Sequence, residues 1–248
     1  MIKIKNSQEL ISMRDAGKIT GEALLVGGEA VMPGVTTRAI DAKIRKFIEK
    51  CGARPTFLGY GGFPGSACIS VNEQVIHGIP SDRELKDGDI VKIDVGAFYK
   101  GFTGDCAATF AVGEISKEAS ELIKATEESF YEAMKVALPG NRIGDIGNAV
   151  ESHVAGKGYS VVRKFVGHGV GRELHEDPEV PNFGKAGHGI RLVEGMTLAV
   201  EPMVNMGTSD VVILKDGWTV LTADKKLSAH YEHSIAISEN GPILLTKV

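Results

Sequence analysis

Two aspartates in the first half of the chain occupy neighbouring positions in a predicted β-hairpin. Residues 91–99 and 102–106 are rich in β-forming side chains and flank a turn at Lys100-Gly101. The register pairs Tyr99 with Phe102, Gly96 with Asp105 and Asp94 with Ala107. Because side chains alternate along a strand, Asp94 and Asp105 then share one face as diagonal neighbours, about 7–8 Å apart at the backbone. Such carboxylates can converge on one cation or face water at a sheet surface, and the hairpin alone favours neither.

Two glutamates in the second half lie beside apolar runs. Glu201 follows the apolar residues 198–200 and precedes Pro202, which holds it in an extended conformation. Glu232 leads into another apolar run within 229–235. Either residue alone would be a charge on an edge strand. Together they give the second half a pair of strand-borne carboxylates, as in the first half.

Two histidines lie between these acids in the sequence. His168 is flanked by glycines in the run 166–172, where G-x-G-x-G spacing is a weak signal for a dinucleotide loop. The glycines permit a tight turn that presents the ring at a cleft. His175 follows, and neither histidine belongs to an H-E-x-x-H arrangement, which excludes the simple zincin interpretation. A hydrogen-bonded structural histidine is the alternative for each.

The four carboxylates and His168 would form an oxygen-rich set with a single nitrogen. The set contains no thiolate, which argues against a structural zinc site of the finger type. Mn, Fe(II), Co or Zn would suit it. Four negative charges exceed the charge of one divalent cation, which favours two metal ions, and ions about 3.5–4 Å apart suit the hydrolysis of an amide or phosphate bond.

The elements that must position these residues occur twice along the chain. Asn6 and Glu9 form a capping box that opens a helix over residues 7–31, and a second helix is predicted over 37–51. Residues 116–137 and 143–157 repeat this pair. In one ungapped register, the following residues align: Pro33-Gly34 with Pro139-Gly140, Lys18 with Lys124, Thr20 with Thr126, Glu22 with Glu128, Ile40 with Ile146 and Gly52 with Gly158.

Strand-like sequence follows each helix pair, at 90–110 in the first half and at 196–204, 211–222 and 229–246 in the second. The repeat therefore predicts an α/β protein of the α+β type, with two similar halves of about 1–110 and 111–248. A cleft between their two sheets is where we expect the site.

The composition sets limits on function. The 248 residues include 28 Lys and Arg against 32 Asp and Glu, a net charge of −4, and 43% are apolar. These values predict a globular protein of one or two domains. No cluster of basic and aromatic residues indicates a nucleic-acid partner. No apolar stretch approaches the ~20 residues of a membrane span, and no signal peptide is visible. Three cysteines are typical of a reduced, cytoplasmic protein.

A set of motifs resembles a known family along essentially the whole chain. In order, the motifs are His77-Gly78-Ile79-Pro80, Asp94 and Asp105 in their hairpin, Gly167-His168-Gly169-Val170-Gly171, His175-Glu176, Glu201-Pro202-Met203 and Tyr231-Glu232-His233. They resemble the type I methionine aminopeptidases. The resemblance implies the pita-bread fold, in which two pseudo-symmetric halves enclose a dinuclear metal site within one catalytic domain, here residues 1–248.

The same resemblance implies the roles of individual residues. Asp94 would chelate one ion, His168 and Glu201 would bind the other, and Asp105 and Glu232 would bridge both. An activated hydroxide would attack the scissile carbonyl, with Glu201 moving the proton. His175 would donate to the oxyanion and His77 would contact the nitrogen on the leaving side.

The resemblance also implies a pocket for the methionine side chain, lined by Tyr60, Phe63, Cys68 and Trp218. Aromatic rings suit this substrate because its thioether is polarisable. Leu174 departs from the family pattern, in which an aromatic residue often precedes this histidine, and leaves the fine specificity open. The implied substrates are N-termini of nascent polypeptides at the ribosome, with a small second residue preferred, and we expect a monomer.

Three other interpretations are weighed against this one. A prolidase or Xaa-Pro aminopeptidase generally carries an additional N-terminal domain. A non-catalytic binding protein on the same fold would lose ligands that this sequence keeps. A creatinase-like amidinohydrolase would dispense with the metals and with several of the carboxylates.

Overall fold

The four predicted helices are present in the computed structural model, which describes residues 1–248. They are α1 (Ser7–Glu29), α2 (Thr37–Lys50), α3 (Lys117–Val136) and α4 (Ile143–Ala155). Each ends one or two residues before its predicted end. The Asn6–Glu9 capping box is confirmed, since each side chain accepts a backbone N–H from the other residue at 3.0 Å. Ser116 caps α3 by accepting from the backbone of Ala119.

Fourteen strands and one 3₁₀ turn (Tyr60–Gly62) complete the fold. The strands are β1 (Arg54–Pro55), β2 (Ala67–Val71), β3 (Ile90–Tyr99), β4 (Phe102–Ala111), β5 (Ser160–Val161), β6 (Gly167–Gly169), β7 (Glu176–Val180), β8 (Thr197–Val200), β9 (Met203–Asn205), β10 (Val211–Ile213), β11 (Val220–Thr222), β12 (Ser228–His230), β13 (Glu232–Ser238) and β14 (Gly241–Leu244). The predicted run 196–204 is thus interrupted at Glu201-Pro202.

One antiparallel sheet of nine strands joins the two halves of the chain. Its order is β1-β3-β4-β13-β8-β6-β7, with β2 added on β3 and β14 on β13. The β4–β13 pairing connects the first half to the second. The expectation of a cleft between two separate sheets is therefore wrong, because the strands that carry the acids continue through the junction. Two smaller sheets, β10-β11 and β12-β9-β5, lie beside it.

The apolar core is divided in the same way as the sequence repeat. One cluster of 16 buried residues packs α1 and α2 against β2, β3 and β4, and another of 21 residues packs α3 and α4 against the strands of the second half. Burial on this scale stabilises both ends of the sheet. The two helix pairs thereby fix the strands on which the acids lie. No helix combines the length and apolar character that crossing a membrane requires.

Candidate metal centre and active site

All eleven side chains that the sequence analysis named as site residues line one cavity. Phe57 and Leu174 complete its wall. The nominated residues are Tyr60, Phe63, Cys68, His77, Asp94, Asp105, His168, His175, Glu201, Trp218 and Glu232. These residues are spread over 173 positions of the sequence, so the folded sheet, rather than any local motif, brings them together.

The hairpin places its two aspartates as predicted. Asp94 pairs with Ala107 and Gly96 with Asp105, so both carboxylates project from the same face of the sheet. On its other side, Ala107 pairs with Glu232 of β13. Three adjacent strands therefore carry Asp94, Ala107 and Glu232 in one row, with Asp105 on the same face.

His168 reaches the cavity from β6, and the reason for its flanking glycines differs from the prediction. They do not form a tight turn. A Cβ on Gly167 would lie 2.4 Å from the Ala199 carbonyl oxygen, and one on Gly169 would lie 2.2 Å from that of Asp177. The glycines let three strands approach closely and hold the imidazole between them. Glu201 lies directly after β8, beside the strand that carries His168.

The ligand-type atoms converge in two overlapping groups. Atoms of Asp105, His168 and Glu232 lie within 4.8 Å of one another, and so do atoms of Glu201, His230 and Glu232. His168 Nε2 is 3.7 Å from Asp105 Oδ2 and 3.5 Å from Glu201 Oε1. Two ligands on one ion at about 2.0–2.2 Å each cannot lie further apart than ~4.4 Å, so these spacings suit a shared cation. Asp94 lines the cavity but belongs to neither group.

The protonation of His168 follows from its other ring nitrogen. Its Nδ1 lies 2.9 Å from the Gly169 carbonyl oxygen, which can only accept, so Nδ1 carries the hydrogen. Nε2 therefore presents a lone pair to the carboxylates. Burial lowers the pKa of His168 to about 3, with a further contribution from His175. A neutral imidazole with this tautomer is a competent metal ligand.

Four carboxyl groups crowd the centre of the cavity. Burial raises the pKa of Asp94 to about 7 and raises those of Asp105, Glu201 and Glu232, with repulsion from Asp94 adding to each of these three. Oxygens of three of the acids are buried without a hydrogen-bond partner: Asp94 Oδ1, Asp105 Oδ1 and Glu232 Oε1. Carboxylate oxygens without hydrogen-bond partners, beside a neutral imidazole, are suitable ligands for divalent cations.

His230 is a functional candidate that the sequence interpretation missed. Its side chain is 1% exposed on β12, and its Nε2 lies 3.7 Å from Glu201 Oε2 and 3.8 Å from Glu232 Oε2. Burial lowers its pKa to about 3. Its position two residues before Glu232 was an available signal, since that spacing returns a side chain to the same face of an extended chain.

Two further histidines face the cavity beside the acids. The Tyr60 hydroxyl lies 2.7 Å from His175 Nδ1, and the His175 and His168 ring centroids are 4.3 Å apart. His77 has a positive φ of 57° and packs edge-on against Trp218. Burial lowers the pKa of His175 and brings that of His77 to about 4, so both rings are neutral at pH 7.

An apolar wall closes the other side of the cavity. Phe57, Phe63, Cys68 and Leu174 form a buried cluster, with Trp218 packed against it. The Phe63 and Trp218 rings meet edge to face at 5.2 Å. Leu174, which departs from the family pattern, is 5% exposed and belongs to this wall. The wall offers a flexible apolar side chain two aromatic rings next to the acids.

Comparison with known proteins agrees with this geometry. The sequence model of metallopeptidase family M24 matches residues 11–239 of this chain. The chain is 57% identical to a methionine aminopeptidase of Clostridium perfringens over all of both chains, and 48% identical to methionine aminopeptidase 1 of Bacillus subtilis over the same extent.

Solved structures distinguish between the methionine aminopeptidase and prolidase interpretations. The crystal structure of a methionine aminopeptidase from Thermotoga maritima matches all of this chain with a TM-score of 0.98 at 45% identity. A prolidase from Pyrococcus horikoshii has a TM-score of 0.81 at 26% identity, and this chain covers 63% of it. The prolidase-type and binding-protein interpretations are therefore not favoured. The mixed α/β architecture with its curled antiparallel sheet is the pita-bread fold, and the chain belongs to metallopeptidase family M24, among the methionine aminopeptidases.

Proposed function

We propose that the cavity binds the N-terminal methionine of a polypeptide beside two divalent cations and that its side chains hydrolyse the first peptide bond. The observation that carries this proposal is the junction of an apolar, partly aromatic wall with three buried acids, the half-buried Asp94 and His168 in one cavity. The family membership supports the activity. The number of ions and the role of each residue belong to the proposal.

Five side chains would hold the cations. His168, Asp105, Glu201 and Glu232 supply the converging atoms, and Glu232 belongs to both groups, which suits a bridging carboxylate. Asp94 would complete the site from the row that it shares with Glu232. Divalent ions bound there would polarise a carbonyl and lower the pKa of water to near neutrality. Co, Mn, Fe(II) and Zn all accept such an oxygen-rich set.

Glu201 is the residue that we assign to proton transfer. It is buried, its pKa is raised by burial, and its carboxylate lies at the boundary of the two ligand groups. A carboxylate whose pKa is raised by burial is a stronger base, which can accept a proton from the attacking water and return it to the leaving amine. The same negative region attracts the α-ammonium group of a free N-terminus, which restricts cleavage to the chain end.

Histidines beside the acids would stabilise and orient the reacting peptide. If the Tyr60 hydroxyl donates to His175 Nδ1, the hydrogen of this neutral ring lies on Nε2 and can be donated to the developing oxyanion. His77, next to Trp218, would contact the backbone nitrogen on the leaving side. Tyr60, Phe63, Cys68 and Trp218 would surround the methionine side chain.

The biological substrates that we propose are nascent polypeptides with a small second residue, met in the cytoplasm as they leave the ribosome, with the enzyme acting as a monomer. The full-length similarity to bacterial methionine aminopeptidases supports an N-terminal methionine as the residue removed.

Peptide cleavage before and after metal removal tests the proposed function. We expect release of methionine from Met-Ala-Ser, loss of that activity on chelation, and recovery when Mn²⁺ or Co²⁺ is added back. Ala-Pro should stay intact throughout. Cleavage of Ala-Pro, or full activity in the chelated protein, would overturn the proposal.

A further inference from the structure

His230 and His168 flank Glu201 from opposite sides. His168 Nε2 lies 3.5 Å from Glu201 Oε1, and His230 Nε2 lies 3.7 Å from Glu201 Oε2. Each imidazole also approaches a second acid, His168 at 3.7 Å from Asp105 and His230 at 3.8 Å from Glu232. By distance alone, both rings qualify as metal ligands.

The second ring nitrogen distinguishes the two histidines. His168 Nδ1 donates to the Gly169 carbonyl, which fixes the lone pair on Nε2. His230 has no hydrogen-bond partner at Nδ1 or at Nε2, although its side chain is 1% exposed. A histidine that binds a metal almost always donates its other N–H to an acceptor, and His230 lacks that acceptor.

The environment of His230 therefore favours the opposite tautomer. With hydrogen on Nδ1, the ring would bury a donor without an acceptor and turn a lone pair toward two carboxylates. With hydrogen on Nε2, the N–H faces Glu201 Oε2 and Glu232 Oε2 at 3.7 and 3.8 Å, where both carboxyl groups attract its dipole, and the lone pair lies on Nδ1.

We propose that His230 is a positioning residue that presents Nε2–H to the nearby oxygens of Glu201 and Glu232 and is not a metal ligand. This inference rests on the proposed metal site. The N–H makes the two oxygens of Glu201 unequal, because Oε2 faces His230 Nε2 while Oε1 faces His168 Nε2. His230 thereby orients Glu201 so that its other oxygen points to the reaction centre. It also orients Glu232, the carboxylate that belongs to both ligand groups.

The tautomer can be read in the metal-free protein. Two-bond ¹H–¹⁵N correlation spectra of the chelated, histidine-labelled chain should show His230 protonated at Nε2 and His168 protonated at Nδ1. His230→Gln identifies the His230 signals by their loss. Protonation of His230 at Nδ1 would overturn the proposal, whatever the catalytic activity.

Two variants of His230 separate donation from ligation. His230→Gln keeps an N–H donor and His230→Leu removes it. Calorimetric titration with Mn²⁺ should show metal affinity falling about 10–100-fold in His230→Leu and returning to within ~3-fold of wild type in His230→Gln. His233→Gln is the matched control, because His233 bonds to Thr246 and Tyr231 away from the acids. Its affinity should match that of wild type.

Pulsed EPR of the Mn²⁺-loaded protein supplies the remaining readout. Nitrogen coupling from one imidazole is expected in wild type and, unchanged, in His230→Gln. A second imidazole that disappears in His230→Gln would make His230 a ligand and overturn the proposal, as would wild-type metal affinity in a folded His230→Leu. If His230→Leu does not fold, the EPR spectrum of His230→Gln and the NMR tautomer measurement still test whether His230 is a ligand. Failure of the wild type to bind metal would refute the proposed function instead. The tautomer of His230 could still be measured, because that experiment uses the metal-free protein.

Discussion

Asp94 and Glu232 stand on either side of Ala107, paired with it from two neighbouring strands. They lie 138 positions apart in the sequence, yet only one strand separates them in the sheet. The small side chain between them is 1% exposed. The row shows how the sheet junction turns two distant acids into neighbours that can share a metal centre.

Ala107→Leu should separate these acids. The added atoms enter the space between the Asp94 and Glu232 carboxylates, and overpacking of this kind typically costs about 1–3 kcal/mol. We expect metal affinity to fall by about 10–100-fold while circular dichroism retains the signature of the fold. Ala108→Leu, on the opposite face of β4, is the comparison that should leave metal affinity unchanged. Equal affinity in Ala107→Leu and wild type would show that the row does not shape the site.

Metal removal should make stability depend on pH above neutrality. The pKa of Asp94 is raised from 3.8 to about 7 by burial, and those of Asp105, Glu201 and Glu232 are raised too. The folded chelated protein therefore binds more protons than the unfolded chain, and its stability falls as pH rises through these values. Each carboxyl that is still protonated in the folded state but ionised in the unfolded chain contributes up to about 1.4 kcal/mol per pH unit.

Thermal unfolding at pH 6.5 and pH 8 checks this dependence. The buried histidines act in the opposite direction, because their pKa values are lowered, but only below about pH 6.5 where the unfolded chain takes up protons. The melting temperature of the chelated protein should therefore drop between the two pH values, and bound metal should remove most of the drop. A chelated protein equally stable at both would contradict the raised pKa values.

Glu201→Gln should abolish most of the activity without unfolding the protein. The amide keeps the shape of the side chain but cannot carry the proton, and general acid–base contributions are typically 10²–10⁴-fold in rate. The measurement is kcat on Met-Ala-Ser, with the metal content of each sample determined in parallel. Near-normal kcat in a metal-replete variant would remove Glu201 from the proposed mechanism.

His175→Ala should lower kcat far more than it weakens metal binding. Loss of one donor to a developing oxyanion typically costs about 10²–10³-fold. Tyr60→Phe removes the hydroxyl that lies 2.7 Å from His175 Nδ1 and should produce a smaller loss of kcat, with metal affinity intact. Parallel losses of kcat and metal affinity in His175→Ala would instead mark this histidine as a ligand.

The sequence predicted the hairpin in detail because its information is local. Alternating side chains and the Lys100-Gly101 turn set the register, and the structure confirms every predicted pair. The helix pairs were similarly visible from capping residues and Pro-Gly stops. By contrast, β1, β5 and β6 have only two or three residues each, too few for a periodic pattern, so they were not predicted.

The convergence of the acids was beyond local reasoning. Glu201 and Glu232 meet Asp105 only through the β4–β13 and β13–β8 pairings, which no short-range pattern specifies. The resemblance to the methionine aminopeptidases instead implied that these acids share one metal site. His230 was missed because a single histidine beside apolar residues is most often structural, and its contact with Glu201 depends on a chain reversal between β9 and β12.

Metal stoichiometry measured on wild type and Asp105→Asn tests the central claim most directly. Asp105 is 4% exposed, and one of its oxygens has no hydrogen-bond partner within the protein. Elemental analysis after equilibration with Mn²⁺ should find two ions per wild-type chain and fewer in a folded Asp105→Asn protein. Two ions in both proteins, or none in wild type, would contradict a dinuclear centre held by these acids.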